Sequence, residues 1–392
     1  MSRFSLTRPV TRAIVGASLA LLPLLSAWNL MMPNRQVQIG PTLGGVTNEM
    51  PVIFSWSSIR DGSFQKAVAN RITEAFALRR ILIRVNNEIR LELFGELTAP
   101  HVVRGAKGQL IERTYLDDYC TRTEGMGAEL AAKNIPKLRD IQNYYHARGG
   151  FFVYLLSPSK AAHLPEYFVD RVPCPSTPAA RAELVDQYVS ALKQAGIDVL
   201  DTATLIHSLK GQYDFDLFPQ GGVHWNDVGG ARAVSALVDE INRQAGREIV
   251  PSFTFSYTLS SAAGADRELV DLLNVFFPPL AYLTPKVKYA TSASCADHPA
   301  RLLDVAMVGS SFSHLLATIL IEHNCLSRLN LYYYATLGRF GGVPYHEIQR
   351  NLGEAELAPL RDARIMILEE NEAFAARSSS YVDILRGIVN KP

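Results

Sequence analysis

The sequence predicts an α/β fold, a parallel sheet flanked by helices, with a membrane-anchor helix at its N-terminus. Three observations lead there. Short apolar runs of strand length alternate with longer stretches of helical period, the pattern of a parallel sheet covered on both faces. Glycines stand where helices must stop before strands, at Gly149-Gly150 and at Gly196. Ahead of these, Arg3, Arg8 and Arg12 precede an uncharged run from Ala13 to Met32.

That run comes first in the chain. As a helix it rises about 30 Å, the thickness of a bilayer core. Positive charge before it and little after keeps the start of the chain cytoplasmic and sends the rest across the membrane. Leu25-Ser26-Ala27-Trp28 makes a poor cleavage site, so residues 1–32 are expected to stay as an inner-membrane anchor rather than leave as a signal peptide. Residues 33–60, with Pro and Gly among mixed polarity, read as a linker. The remainder, 61–392, reads as one domain. Apolar positions at helical spacing, from Phe64 through Ile72, Phe76 and Ile83 to Leu91, predict helix over 61–95. Strands are expected at 151–156, 197–200, 302–308, 329–334 and 365–368, with helices at 128–147, 179–195, 227–245 and 312–323. Residues 250–299 follow neither period and read as an insertion.

Composition narrows the function. Lys and Arg number 39 against 38 Asp and Glu, so there is no basic excess to draw a nucleic-acid partner. None of the four cysteines, Cys120, Cys174, Cys295 and Cys325, falls in a zinc spacing, so no metal is expected. An even count in an exported chain fits disulfides in an oxidising compartment. Three pairings are open; Cys295 with Cys325 is attractive because the two bracket the segment described next.

In an open parallel sheet ligands bind beyond the carboxyl ends of the strands. The strand expected at 302–308 runs straight into Gly309-Ser310-Ser311-Phe312, and a helix pattern starts there. A serine at such a turn exposes its hydroxyl at the sheet edge. Its backbone N–H and its neighbour's lie at a helix start, where they can hold an oxyanion. Gly309 lets the backbone turn sharply and a substrate come close. Serines also cap helices routinely, so a second element is needed. It is Phe218-Pro219-Gln220-Gly221-Gly222-Val223-His224-Trp225-Asn226-Asp227, a glycine-rich loop before another helix, with Asn226 or Asp227 as cap. His224 is then presented as a general base. A hydroxyl is a weak nucleophile until a base takes its proton, so Ser311 and His224 form a coherent pair.

With these residues assembled, the chain resembles the alginate-type O-acetyltransferases that modify exopolysaccharides in the bacterial periplasm, within the SGNH-hydrolase-like superfamily. Val102 to Leu110 is similar to the family's early V-x-G-x-x-G-W-L segment, with Gln109 at the aromatic position. Leu155 to Lys160 resembles a strand ending in Pro-x-Lys. Gly222 to Trp225 resembles D-x-H-W, Gly309 to Phe312 resembles G-D-S-F, and Ile367 to Glu372 resembles the last strand. The resemblance implies Ser311 as nucleophile and His224 as base. It also implies a polysaccharide acceptor and a membrane-bound O-acyltransferase as acetyl donor. No cofactor is implied. Two positions depart. Gly222 stands where the family places its acid, and Gly221 where the wider superfamily does. Ser310 replaces the motif aspartate. Asp216, upstream of the loop, is the candidate replacement acid, with a Ser-His dyad as the alternative. Lys160, Trp225, Gly309 and Ser310 are candidate substrate-binding residues. With water as acceptor the same residues would make an acetylesterase. Without an acid the chain would be a catalytically weak glycan-binding scaffold, with Tyr332 to Tyr334 and Tyr345 stacking on sugars.

Overall fold

The computed structural model describes residues 8–45, 54–278, 281–333, 337–340, 346–348, 353–375 and 381–390, the side chains of 8–19, 337–340 and 346–348 excepted. The chain divides into two compact units, residues 1–100 with 270–279, and residues 101–269 with 280–392. The sequence alone put a boundary near residue 60.

The first unit is helical: α1 (Arg8–Met31), α2 (Trp56–Arg60), α3 (Ser63–Ala75) and α4 (Arg79–Phe94). The helical stretch expected over 61–95 forms two helices, because Phe76 turns to extended backbone (ψ 115°) and closes α3. Asn29, fully buried, fixes the end of α1: its amide donates to the carbonyls of Val37 and Ala75 and its Oδ1 accepts from the Val37 N–H. Ser26, Leu30, Ile72, Phe76, Leu82 and Ile83 help line a cavity of about 670 Å³ here, which is apolar and holds none of the candidate site residues. Among the described residues no helix is long and apolar enough to cross a membrane.

The second unit opens with a small antiparallel pair, β1 (Val102–Arg104) and β2 (Leu110–Glu112), followed by α5 (Arg113–Thr121) and α6 (Met126–His146). Then come β3 (Phe151–Ser157), α7 (Lys160–His163), α8 (Pro178–Gln194), β4 (Val199–Asp201), α9 (Thr202–Ser208) and α10 (Asp227–Ala245). The expected insertion is a long antiparallel hairpin, β5 (Phe253–Ser261) with β6 (Leu283–Thr291), and α11 (Glu268–Leu272) lies between its strands. The chain finishes with β7 (Asp304–Gly309), α12 (Ser313–His323), β8 (Arg328–Tyr333), β9 (Leu337–Phe340), β10 (His346–Ile348), α13 (Glu354–Arg361), β11 (Ile365–Asn371) and α14 (Tyr381–Val389).

Seven strands form the main sheet in the order β10-β9-β8-β7-β11-β3-β4. The strands from β8 to β4 are parallel, and they are the five expected from sequence; β9 and β10 add an antiparallel edge. The parallel strands read as unbroken apolar runs because both faces are covered. Phe152, Tyr154, Leu156, Ala306, Val308, Met366 and Leu368 pack with residues of α6, α8 and α14 in one core cluster. The alternate residues Val153, Leu155, Val305, Met307, Ile365 and Ile367 are equally buried on the other face. Two disulfides form, Cys120–Cys174 and Cys295–Cys325, leaving no free cysteine.

Candidate active site

The carboxyl ends of β7, β11 and β3 gather the reactive residues. β7 ends at Gly309, and α12 begins at Ser313 after a turn carrying Ser311. This turn is held from below. Glu369 of β11, fully buried, accepts hydrogen bonds from the Ser310 N–H (2.7 Å), the Ser310 hydroxyl (2.8 Å) and the Ser157 hydroxyl (2.5 Å). Burial raises the Glu369 pKa above the ordinary carboxylate value, and the serine donors oppose that rise. A side chain at position 309 would meet Glu369 Oε2 at 2.7 Å, so glycine is required there by space. The Ser310 hydroxyl also accepts from the Phe312 N–H (3.2 Å). The neighbouring N–H expected in the oxyanion site is therefore engaged, and Ser311's own N–H is the donor of this turn that points to no partner among the described residues.

His224 lies three residues before α10. Asn226 caps that helix, its Oδ1 accepting from the Val228 and Gly229 N–H groups at 3.1 Å. Asp227 sits in the first turn and pairs with Lys286 of β6 (3.6 Å). Helices α10 and α12 approach closely one turn in: a Cβ on Gly230 would sit 2.4 Å from Leu315 Cδ2. That contact brings the two helix N-termini together, and with them the residues just ahead. Phe312, next to Ser311, packs its ring 4.9 Å from the His224 ring and 5.4 Å from that of Trp225.

The acid on His224 is Glu268. Its Oε1 lies 2.8 Å from His224 Nδ1 and also accepts from the Val223 N–H at 2.8 Å. A carboxylate only accepts, so Nδ1 carries a proton, and it is Nε2 that holds the lone pair whenever the ring is neutral. Nε2 is buried and has no hydrogen-bond partner among the described residues. Burial would raise the Glu268 pKa, but the bonds from His224 and Val223 outweigh it and hold the carboxyl below its ordinary value.

Asp216, expected in that role, does not reach the histidine. Its Oδ2 accepts from Gln109 Nε2 (3.1 Å) and its carbonyl from Asn226 Nδ2 (3.0 Å). Burial raises its pKa. It braces the helix cap. The physical reason lies in the hairpin insertion, which takes the space of a side chain at 222: a Cβ on Gly222 would meet the Ala265 carbonyl oxygen at 2.7 Å. The segment that excludes an acid from 222 delivers one three residues later.

The four residues expected to bind substrate lie beneath the surface. Lys160 is 1% exposed, Trp225 2% and Ser310 1%, and Gly309 is buried. They shape the site from behind. Tyr332 is buried with its hydroxyl on the Glu356 carbonyl (2.8 Å). Tyr333 is half-buried with its ring against His314. Tyr334 and Tyr345 lie outside the described residues. Among the described residues no cluster of His, Cys, Asp and Glu is arranged to hold a metal ion.

The sequence model of the ALGX family, described as an SGNH hydrolase-like domain, acetyltransferase AlgX, matches residues 114–318, just over half of the chain. The chain is similar to the O-acetyltransferase domain of Pseudomonas putida AlgJ, at 17% identity over 74% of this chain and 99% of that one, with a TM-score of 0.48. It is similar also to Pseudomonas aeruginosa AlgX, at 15% identity over 74% and 66%, TM-score 0.46. Bacillus cereus PatB1 is similar at 10% identity over 71% and 98%, TM-score 0.39. No curated protein matches the chain in sequence.

Proposed function

Because the chain belongs to the family of SGNH hydrolase-like acetyltransferases typified by AlgX, we propose that it transfers acetyl groups to hydroxyls of an exported exopolysaccharide through an acetyl-serine at Ser311. The observation that carries this reading is the state of His224: one ring nitrogen is committed to the Glu268 carboxylate, and the other is bare at the end of the helix packed on that of Ser311.

In the first half-reaction His224 Nε2 takes the Ser311 hydroxyl proton as Oγ attacks the acetyl carbonyl. The Ser311 N–H meets the developing oxyanion. Glu268 keeps the imidazole in the right tautomer and stabilises the imidazolium without taking its proton. The leaving group departs with the proton from Nε2. In the second half a sugar hydroxyl gives its proton to Nε2 and attacks the acetyl-serine. Collapse of that intermediate returns the proton to Ser311 Oγ.

The acetyl donor is a membrane-bound O-acyltransferase, and the site of action is the periplasm. Two features support this reading: both cysteine pairs are oxidised, which fits export, and the arginine-flanked uncharged run from Ala13 begins within α1 and reaches Met32, just past its end, which fits attachment to the inner membrane.

The test is transfer from p-nitrophenyl acetate to an oligosaccharide acceptor, followed by mass spectrometry of the enzyme. Wild type carries an acetyl group on the Ser311 peptide, and Ser311→Ala loses both the adduct and acetylated sugar. Full activity in folded Ser311→Ala sinks the assignment. Acetate release with no sugar product makes the chain an esterase.

A further inference from the structure

Lys160 is a fully buried cation, 1% exposed, in a domain whose other lysines have reason to seek water. Its Nζ donates to three backbone carbonyls: Pro219 at 2.6 Å, Gln220 at 3.0 Å and Gly222 at 2.9 Å. Among the described residues no carboxylate lies within ion-pair distance of it. Three acceptors face the three protons of an ammonium group. A neutral amine would turn its lone pair on one of those oxygens.

The three carbonyls belong to the turn that ends two residues before His224. The turn closes on itself, the Gly222 N–H donating to the Pro219 carbonyl (3.3 Å). Three carbonyl oxygens converging within reach of one atom repel one another unless a cation sits among them. Burial holds the Lys160 pKa well below the usual lysine value, and the charges of Asp216 and Glu268 offset only part of that fall; the case for a cation here is the geometry of its three acceptors.

Lys160 is itself fixed to the sheet. It is the first residue of α7, immediately beyond β3. Ser159 caps that helix through the Ala162 N–H (3.3 Å), and the Ser159 N–H donates to Glu372 Oε1 (2.7 Å). The side chain thus carries the position of the β3 end into the histidine loop. Being enclosed, it has no surface to offer a substrate.

We propose that Lys160 is a positioning residue: its ammonium tripod holds the 219–222 turn, and through it sets His224 against Ser311. The proposal rests on the Ser311–His224 reading above. Misplacing a catalytic group by about 1 Å can cost on the order of a hundredfold in rate, so the tripod's effect falls on turnover and not on substrate binding.

The experiment uses the full chain with Lys160→Met and Lys160→Gln. Both are checked for fold by circular dichroism and thermal unfolding. Each is assayed with p-nitrophenyl acetate and oligosaccharide, and each is examined by proton NMR for the low-field Nδ1–H resonance of His224 on Glu268. Lys160→Met is expected to lower kcat about a hundredfold, to change KM less than about threefold and to lose or broaden the low-field resonance. Lys160→Gln, which keeps two N–H donors, is expected to lose about tenfold. Wild-type kcat with an intact resonance in either folded variant overturns the proposal, as does a loss confined to KM. Should Lys160→Met fail to fold, Lys160→Gln decides on the same readings. Ser311→Ala is run beside them. If it keeps activity, the functional reading fails by itself, while the resonance, which needs no turnover, still judges the tripod.

Discussion

The Ser311 turn and the His224 loop are held by different parts of the molecule. Ser311 follows a central strand, and its turn is pinned by Glu369 of the adjacent strand and by Ser310 and Ser157, all inside the sheet's own end. The loop before His224 has no strand beneath it. It is gripped from several sides: by Lys160, by the Tyr282 hydroxyl on the Gly221 N–H (3.0 Å), by the Leu110 N–H on the Gln220 carbonyl (2.7 Å), and by Glu268 on Val223 and on His224 itself. Half of the site therefore inherits its geometry from the core fold. The other half depends on side chains that reach in from elements the core could spare.

The largest test of that contrast is Glu268→Gln. The amide keeps the shape and removes the charge, so kcat is expected to fall about 10²–10⁴-fold, while the serine turn keeps its hydrogen bonds. Steady-state acetyl transfer measures it, and a loss below about threefold would mean that the histidine needs no carboxylate. Next comes Gly222→Asp, which places the acid where the family usually has it. The new side chain collides with the Ala265 carbonyl, so about 1–3 kcal/mol of stability and on the order of a hundredfold in rate are expected to be lost. A gain in activity would break the view that the insertion has displaced the old acid.

The third test is smaller in rate and is read in acid. Glu372 is fully buried; burial would raise its pKa, but His207, Arg122 and the Ser159 N–H together bring it down to about 2. A carboxyl at about 2 in the fold and 4.5 in the unfolded chain contributes stability above pH 4.5, and that contribution is lost as pH falls through about 2. Unfolding of Glu372→Gln followed from pH 7 to pH 2 should lose this part of the acid dependence. Because Glu372 holds the turn bearing Lys160, the variant should also blunt kcat by a few-fold and leave the Ser310–Glu369 contacts unmoved. An unchanged acid slope contradicts the assignment.

The same contrast decides what the sequence could tell. Residues such as 151–156 and 365–368 announce buried strands because both faces are apolar, and Ser311 and His224 stand out as candidates because each lies at a junction of periods. Glu268 is not visible. It lies 44 residues beyond His224 in a short element with no period of its own, and one glutamate among many has no mark. The available signal was negative: two glycines at 221 and 222, where a side chain was expected, announce that something else fills the space. Lys160 could be placed at a strand end, but its partners are carbonyls, which every residue has. Sequence therefore cannot separate an enclosed ammonium from one in solvent. The break between α3 and α4 has neither proline nor glycine to signal it.

The Cys120–Cys174 bridge closes a span of 54 residues that contains β3 and the Lys160 turn. A cross-link of that reach removes about 4 kcal/mol of freedom from the unfolded chain, a sizeable share of what a domain usually has in reserve. While its thiols are reduced, the newly made polypeptide lacks that margin, in the region that aligns the imidazole. A reducing surrounding therefore weakens first the part of the fold on which the imidazole's placement rests.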